Sequence, residues 1–314
     1  MNLLPCQFSR QLFQKCAIAL VNLGAIFITA SPLLAQDFEN AEIKTIPVDD
    51  GIYMLRGVGG NLGLLVGEDG IFLIDDEYAP LSEKVMAAIA AISDRPIRFV
   101  INTHWHSDHT GGNENLGRAG TIIVAHDNVR ERMSTEQFLE ILDRTLPASP
   151  PAALPTITFN DTVTFYLNDN EISALHVDFA HTDGDSIIHI RDANIIHTGD
   201  IYFNGAYPFI DVDSEGSING VLAAVEKLLQ IVDDRTKIIP GHGPLSNRSE
   251  LISYRNMLLA VRDRVTTAIL AGMSVEEFLA SDPTADFDPT WGNGFLKPEQ
   301  FLRIVYADLS RSRQ

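Results

Sequence analysis

Short apolar runs separated by turn residues make up the chain from Ile43 onward. Three early runs have the length and apolar content of strands, and a glycine-flanked acidic turn at residues 67–70 predicts a hairpin between the last two. Apolar residues then recur at helical spacing over residues 80–93. The almost wholly apolar run at residues 97–101 predicts a strand buried on both faces. The three early strands are predicted at residues 52–55, 62–66 and 71–74.

The middle of the chain continues with a predicted strand at residues 121–125 and a predicted helix at 128–142. Four prolines then fall within residues 147–155, which excludes a helix or a central strand there. Long loops in compact domains often carry function, so this loop could border a substrate site. A plain connector fits the same composition.

The second half repeats the order of strands followed by a helix. Residues 43–142 form one half and residues 156–271 the other, without a repeat in the sequence itself. This order predicts two sheets packed together with helices outside them. The predicted strands are 156–159, 163–167, 172–177, 186–190, 194–198 and 237–239, and the predicted helices are 217–232, 250–271, 274–280 and 298–309.

The first 36 residues have the features of a secretory signal peptide. Arg10 and Lys15 precede an apolar run at residues 17–29, which is shorter than the ~20 residues of a membrane span, and Ala35 stands where cleavage would occur. We therefore expect a periplasmic or secreted protein with no stable membrane anchor after cleavage; an uncleaved anchor is the alternative. Both cysteines lie in this leader, so the mature chain has no thiolate ligand or nucleophile.

The balance of charge is strongly acidic, with 23 basic and 42 acidic residues and a formal net charge of -19. Such a chain should not bind nucleic acid or an anionic membrane through a basic surface. We expect the charge to serve solubility and the partner to be a small-molecule substrate. Nothing in the sequence indicates an oligomeric state.

A dense group of potential metal ligands follows the predicted strand at residues 97–101. His104, His106, Asp108 and His109 fall within six residues. In an extended segment the first two point to the same side, and the other two follow beyond a turn. Three further pieces of the chain each offer one ligand: His181 in His-Thr-Asp-Gly-Asp, Asp200 in His-Thr-Gly-Asp and His242 in Pro-Gly-His-Gly.

These ligand types favour zinc, which binds imidazole and carboxylate groups and keeps an open position for water in catalytic sites. An extended pair of histidines followed by an adjacent aspartate and histidine can serve two metals side by side, and paired metals lie about 3.5–4 Å apart. His106 stands where a glutamate would favour a di-iron centre. A single His-x-His means little, but four ligand types so close together indicate a metal site.

The segment His104-Trp105-His106-Ser107-Asp108-His109 resembles the His-x-His-x-Asp-His signature of the metallo-β-lactamase superfamily, and the downstream pieces match in order. The resemblance covers roughly residues 43–260. It implies an α+β fold, a four-layer αββα sandwich with the site at one edge of the two sheets. On this basis residues 37–271 are expected to form the hydrolase domain and residues 272–314 a helical extension packed on it.

The same resemblance implies two zinc ions per chain. His104, His106 and His181 would bind one, Asp108, His109 and His242 the other, and Asp200 would bridge them. A metal-bound hydroxide, oriented by Asp108, would attack the carbonyl of a cyclic amide or ester of the β-lactam or lactone class. Asp75, at the end of a predicted strand, could hold a ligand histidine from outside the metal shell.

The chain departs from the subclass B1 β-lactamases at two positions. Those enzymes have cysteine where Asp200 stands and, three residues later, a lysine for the antibiotic's carboxylate, where this chain has Phe203. Asp200 looks more like the bridging aspartate of lactonases and glyoxalase II-type thioesterases. In lactonase-like relatives a tyrosine in this region helps to polarise the substrate carbonyl, which makes Tyr202 a candidate catalytic residue; simple packing is the alternative.

Other activities of the superfamily remain open at this point. A thioesterase or phosphodiesterase would use the same ligands, and an iron-dependent dioxygenase would use a related set. A zinc-binding protein without catalysis is the non-enzymatic alternative. Since all seven ligand positions are filled, the sequence favours an enzyme.

Overall fold

The computed structural model describes residues 38–140 and 143–311. The predicted signal peptide, with Arg10, Lys15 and both cysteines, lies outside the described residues. Residues 37–314 form one compact unit. None of the helices in the described ranges combines the length and the apolar character that a membrane crossing requires.

The first sheet has seven strands in the order β1-β2-β3-β4-β5-β6-β9. Its first four strands are antiparallel neighbours, whereas β4, β5, β6 and β9 run parallel to one another. The predicted hairpin at residues 67–70 is present between β3 and β4. The bounds are β1 Lys44–Asp49, β2 Ile52–Arg56, β3 Leu62–Gly67, β4 Gly70–Ile74, β5 Ile97–Ile101, β6 Ile122–His126 and β9 Ile157–Phe159.

The second sheet has five strands in the order β10-β11-β12-β13-β14. The first four form an antiparallel meander, and β14 returns parallel to β13. A separate two-stranded hairpin, β7 with β8, lies in the sequence between β6 and β9 of the first sheet. The bounds are β7 Gln137–Leu139, β8 Arg144–Leu146, β10 Thr162–Leu167, β11 Asn170–His176, β12 Ser186–Ile190, β13 Ile195–His197 and β14 Lys237–Ile239.

The two sheets pack face to face through an apolar core. Phe72 and Ile74 of the first sheet belong to the same buried cluster as Ile172, Ile188 and Ile239 of the second. Each fully buried side chain of this size contributes about 1.5–3 kcal/mol relative to an exposed one. Strand β4 is buried on both faces: Phe72 and Ile74 turn toward this core, and Ile71 and Leu73 turn toward the helix on the other side.

Helices cover the outer face of each sheet. On the first sheet, Val85 and Ile89 of α1 pack against Leu64 and Leu73. On the second, α5, α6 and α9 share one large cluster, which includes Trp291. The result is the predicted four-layer αββα sandwich with additional C-terminal helices. The helices are α1 Ser82–Ala90, α2 Ser107–Thr110, α3 Asn113–Arg118, α4 Asp127–Met133, α5 Ile218–Ile231, α6 Arg248–Leu270, α7 Val275–Leu279, α8 Asp288–Trp291 and α9 Pro298–Arg311.

The structure differs from the sequence prediction in three places. The helix predicted at residues 128–142 ends at Met133, and the β7–β8 hairpin follows it. Strand β5 is not buried on both faces, because Arg98 is exposed and only its last two residues are buried. Strand β9, assigned to the second half of the chain, pairs with β6 and completes the first sheet.

Candidate metal centre

The predicted ligands lie at strand ends along one edge of the sandwich. Strands β4, β5 and β6 run parallel, as do β13 and β14, so within each parallel set the carboxyl ends meet on the same side. His104 follows β5, Asp200 follows β13 and His242 follows β14. His181 lies in the loop between β11 and β12. This topology brings together side chains that are far apart in the sequence.

The seven predicted ligands form two adjacent groups. Within each group the potential ligand atoms all lie within 4.8 Å of one another. The first group, called here the three-histidine group, is almost completely buried, whereas the second reaches the surface. The three-histidine group is His104, His106, His181 and Asp200, and the second group is Asp108, His109 and His242.

Asp200 lies between the two groups and faces both. Its Oδ1 is 3.1 Å from Nε2 of His109 and its Oδ2 is 3.3 Å from Nε2 of His242, both in the second group. The same Oδ2 is 3.6 Å from Nε2 of His181 and 3.9 Å from Nε2 of His104. A carboxylate in this place could be shared between metals held by the two groups.

Two glycines allow the backbone to approach the ligands this closely. A Cβ atom on Gly60 would lie 2.2 Å from Cε1 of His109, and one on Gly241 would lie 2.1 Å from Oδ1 of Asp200. Neither position has room for a side chain. The glycine-rich stretches in the sequence thus serve close packing around the ligands.

Asp75 holds the second group from behind, in the role expected for it. Its Oδ2 accepts hydrogen bonds from Nδ1 of His109 at 2.7 Å and from the hydroxyl of Thr103 at 2.8 Å, and its Oδ1 accepts from the backbone N–H of Thr103. The Thr103 oxygen lies 3.1 Å from Nδ1 of His104. One buried carboxylate therefore orients histidines from both groups.

A second carboxylate, Asp211, was not identified from the sequence. Its Oδ2 lies 2.9 Å from Nε2 of His106, and both side chains are buried. Nearby, the backbone carbonyl of Phe209 accepts a hydrogen bond from Nδ1 of His181 at 2.8 Å. Asp211 is one of 42 acidic residues and lies in no recognisable motif, so no sequence signal singles it out.

The hydrogen bonds around the three-histidine group leave a place for a cation. A carbonyl can only accept, so His181 carries its proton on Nδ1 and presents a lone pair on Nε2. His106 donates from Nε2 to Asp211 and presents a lone pair on Nδ1. These two nitrogens are 2.9 Å apart, and two lone pairs at that distance repel each other unless a cation lies between them.

Other atoms of the cluster also lack partners. His104 Nε2, His109 Nε2 and Asp200 Oδ1 are buried and form no hydrogen bond of good geometry, although the last two lie 3.1 Å apart. Unpaired buried polar atoms are rare in native proteins. Imidazole nitrogens and carboxylate oxygens converging in this way fit zinc. The residues present therefore suit the metal that the sequence predicts.

The histidines differ in their affinity for protons. Burial lowers the pKa of His104 far below its usual value and that of His181 to about 4, so both are neutral. Burial acts in the same direction on His109 and His242, but the adjacent ligand carboxylates outweigh it. The pKa of His109 rises well above its usual value and that of His242 to about 10. A metal cation at this place would balance the same negative charge and displace the protons.

Tyr202 does not lie with the ligands, which corrects its predicted catalytic role. Its side chain is 0% exposed and points into the core beneath the second sheet. Its hydroxyl is hydrogen-bonded to Ser246 at 2.8 Å, and its ring packs against Tyr254. A phenol held there cannot polarise a substrate bound at the metal centre.

The opening of the centre is formed by the second group. His242 is 27% exposed and Asp108 17% exposed, whereas the three-histidine group is closed by aromatic side chains. The ring of Phe203 stacks on His242 at 4.8 Å, and that of Phe209 stacks on His106 at 5.7 Å. In the described ranges, the ion pairs of Asp108 and Asp200 are all with histidines, not with lysine or arginine.

A cavity of about 250 Å³ lies beside the metal-binding segment. It is lined by Trp105 and Ser107 from that segment and by Met133, Leu146 and Pro147 from the hairpin side. The proline-rich loop therefore contributes to a cavity next to the centre. The Trp105 ring, which borders this cavity, packs 4.7 Å from the ring of His106.

Comparison with known proteins identifies a matching family. Residues 55–242 match the model of the family described as the metallo-beta-lactamase superfamily. The chain is 24% identical over 221 residues to an acyl-coenzyme A thioesterase, MBLAC2, from Bos taurus, covering 62% of this chain and 78% of that protein. It is 27% identical over 174 residues to a hydroxyacylglutathione hydrolase from Polaromonas, covering 54% of this chain and 57% of that protein.

Solved structures share the architecture. A metallo-beta-lactamase from Pontibacter korlensis superposes with a TM-score of 0.58 at 18% identity, covering 69% of this chain and 99% of that one. At this level of identity the likeness concerns the fold alone.

Proposed function

The chain belongs to the metallo-beta-lactamase superfamily, whose members are metal-dependent hydrolases, and on this premise we propose that it is an exported binuclear zinc hydrolase acting on a carboxylic ester or thioester, cyclic esters included. The observation that carries the proposal is Asp200, whose Oδ2 lies 3.6 Å from Nε2 of His181 in one ligand group and 3.3 Å from Nε2 of His242 in the other. A carboxylate ligand shared by two groups supports a pair of metals.

The residues of the centre would have separate roles in binding metal and in limiting access of water. When bound, two zinc ions supply Lewis acidity and lower the pKa of coordinated water. His104, His106 and His181 would hold one metal from the closed side, while His109 and His242 would hold the other near the opening. The aromatic rings beside them restrict the entry of water from the closed side.

Asp108 is suited to receive a proton at the opening. Burial opposes its ionisation, but the neighbouring His109 and His242 outweigh burial and lower its pKa to about 2. The carboxylate is thus an anion at neutral pH. Placed 3.3 Å from Nε2 of His242, it can accept a hydrogen bond from the attacking water and orient it toward the carbonyl.

The surroundings of the opening favour an uncharged acyl group. Phe203 occupies the position where a cation would bind a substrate carboxylate, and it stacks on His242. The cavity beside Trp105 and Ser107 offers space for an apolar chain. A β-lactam, which carries a carboxylate, finds no matching cation among these residues. The names of the thioesterase and the hydroxyacylglutathione hydrolase agree with a thioester substrate.

A substrate panel tests this function on the purified, zinc-loaded chain. The panel consists of an acyl thioester, an acyl-homoserine lactone, a cephalosporin, a carbapenem and a phosphodiester. We expect turnover of the thioester or the lactone with kcat/KM at least ~100-fold above that of the two antibiotics, a difference of about 2.7 kcal/mol in activation free energy. Faster hydrolysis of either antibiotic would contradict the proposal.

Metal analysis of the same sample separates the remaining alternatives. About two zinc ions per chain are expected if both groups are occupied. One iron per chain together with oxygen consumption would instead indicate a dioxygenase. Full zinc content without turnover of any substrate in the panel would favour a binding protein.

We propose that the leader directs export and is removed after Ala35. Mass spectrometry of the protein recovered from the periplasm or medium should then give an N-terminus at Gln36. Recovery of the uncleaved chain in the membrane fraction would support the anchor instead.

A further inference from the structure

A single segment, residues 209–211, contacts two histidines of the three-histidine group. Asp211 is 1% exposed, and its Oδ2 lies 2.9 Å from Nε2 of His106. Its backbone N–H donates to the carbonyl of His181 at 3.0 Å. Two residues earlier, the carbonyl of Phe209 accepts from Nδ1 of His181. The segment therefore reaches both histidines from outside the ligand group.

These contacts decide which nitrogen each histidine presents. His106 differs from His104 and His181, because its free nitrogen is Nδ1 and not Nε2. Nδ1 lies nearer to the backbone, so an imidazole that binds through it needs a ring orientation of its own. Asp211 provides the partner that holds the ring in that orientation and its proton on Nε2.

We propose that Asp211 is a positioning residue for metal binding: it selects Nδ1 of His106 as the donor atom and strengthens it through the negative charge at Nε2. This inference rests on the proposed metal binding by the three-histidine group. It does not depend on the substrate. Partners of this kind outside the ligand shell fix the tautomer of a ligand histidine and raise its basicity.

Asp211 also has a structural role, which the test must separate from positioning. Its Oδ1 accepts from the backbone N–H groups of Asp213 and Ser214 and so holds the short 3-10 turn that follows. The hydroxyl of Ser214 in turn accepts from the indole of Trp105. Loss of the turn alone would lower stability without changing one metal site selectively.

The chain offers a matched control in Asp213. It lies in the same turn, and its Oδ2 accepts from the backbone N–H of Glu140, away from the ligands. Asp213→Asn therefore makes the same change of charge two residues away without touching a ligand histidine. Asp211→Asn keeps the size of the side chain, but its single oxygen cannot serve both His106 and the turn.

The experiment consists of two titrations of each metal-free variant. In the first, Co²⁺ binding is monitored by visible absorption. In the second, Zn²⁺ binding is measured in competition with a chromophoric chelator. In Asp211→Asn we expect the first metal to bind about 10–100-fold more weakly, with the absorption of the three-histidine group altered. In Asp213→Asn both affinities should stay within about threefold of the unaltered protein, as for any residue that touches no ligand. Unchanged affinity in Asp211→Asn, or equal loss in both variants, would overturn the inference.

A second measurement needs no substitution. Long-range ¹H–¹⁵N correlation spectra of the unaltered protein, labelled at histidine and loaded with zinc, report the tautomer of each ring. We expect His106 to carry its proton on Nε2, and His104 and His181 on Nδ1. A proton on Nδ1 of His106 would overturn the assignment. If the unaltered protein binds no metal at this group, the proposed function itself fails, and the two failures are thereby distinguished.

Discussion

Asp108 is the more accessible of the two predicted ligand carboxylates. It is 17% exposed at the opening of the centre, whereas Asp200 is almost fully enclosed. In the proposed mechanism, a residue in that place would contact both the second metal position and the incoming substrate. We therefore expect its substitution to affect turnover directly.

The substitution Asp108→Asn should lower kcat/KM of the active substrate by about 10²–10⁴, because the amide cannot take up a proton. The melting temperature should fall as well, because the pKa of about 2 means that the folded state stabilises this carboxylate at neutral pH. Steady-state kinetics and thermal unfolding check both statements. Asp263→Asn, the same change of charge on α6, is the control and should retain full activity. Unchanged turnover in zinc-loaded Asp108→Asn would refute the mechanism.

His126 stacks on His176, and the protonation of His126 should affect stability. Their rings stack at 3.7 Å, and burial together with the neighbouring His176 lowers the pKa of His126. Below the unfolded value of about 6.5, the unfolded chain then binds this proton more readily than the folded chain. Stability contributed by neutral His126 is present above that pH and is lost as the pH falls toward the folded pKa.

Urea unfolding at pH 7.5 and 5.5 tests this pair. The unaltered protein should lose more stability between the two conditions than His126→Asn, in which the titrating ring is absent. Both nitrogens of His126 contact the backbone, at Asn128 and Asn160, so the variant should also be less stable at pH 7.5. Identical losses in the two proteins would show that His126 does not contribute to the pH dependence in this range.

At the scale of elements, one lysine of α1 holds the first described residues, 38–41, against that helix. The ammonium group of Lys84 donates to the backbone carbonyls of Phe38, Glu39 and Ala41. The Phe38 ring also packs against Tyr78 at 5.4 Å. Three hydrogen bonds from a charged donor hold this segment against the helix.

Replacing Lys84 by methionine should release the segment, because it removes all three hydrogen bonds at once. A hydrogen bond from a charged donor contributes at most about 1.5–3 kcal/mol. We expect Lys84→Met to be cut by a non-specific protease near residues 38–41 at least tenfold faster, with mass spectrometry identifying the site. Lys44→Met on β1 removes the same charge from an exposed position and should leave the cleavage rate unchanged. Equal rates for both variants would exclude the proposed role of Lys84.

Most elements could be predicted from local pattern, and the exceptions have tertiary causes. The β7–β8 hairpin replaces the second half of the predicted helix at 128–142, since Leu139 is buried and the backbone of Glu140 donates to Asp213. Those partners lie about 70 residues away in the sequence, beyond the reach of periodicity. Pairing of β9 with β6 is likewise a long-range choice.

The same distinction between local pattern and long-range contacts applies to the candidate site. The meeting of all seven predicted ligands could be anticipated because the motif concentrates four of them and tight, glycine-containing turns carry Asp200 and His242. Asp211 could not, because its role depends on a loop reaching His106 from 105 residues away. Tyr202 adjoins Asp200 in sequence, yet the backbone turns its phenol into the opposite layer.

For the whole molecule, metal should be a major source of stability. Both cysteines precede residue 17, so no disulfide can form within the residues that the structure describes. Ligand groups from different parts of the chain are brought together at the centre, and a bound metal stabilises only the state in which they meet. A metal at 100 times its dissociation constant contributes about 2.7 kcal/mol.

Removal of zinc by a chelator should therefore lower the melting temperature by several degrees, about 2–4 °C per kcal/mol for a chain of this size. The midpoint should rise again with added zinc in proportion to the logarithm of its concentration. Differential scanning calorimetry of the metal-free and zinc-loaded protein measures both. His106→Ala, which lacks one ligand, should show a smaller shift, and a midpoint independent of zinc would exclude this contribution.

The pairing of β9 with β6 has a consequence for the connectivity of the two layers. A chain cut within the proline-rich loop at residues 147–155 yields one fragment with most of the first sheet and another that carries both the second sheet and the last strand of the first. Four ligands remain with the first fragment and three with the second. Reassembly of the two halves would thus have to restore the pairing of β9 with β6 and bring the two sets of predicted ligands together again at the strand ends.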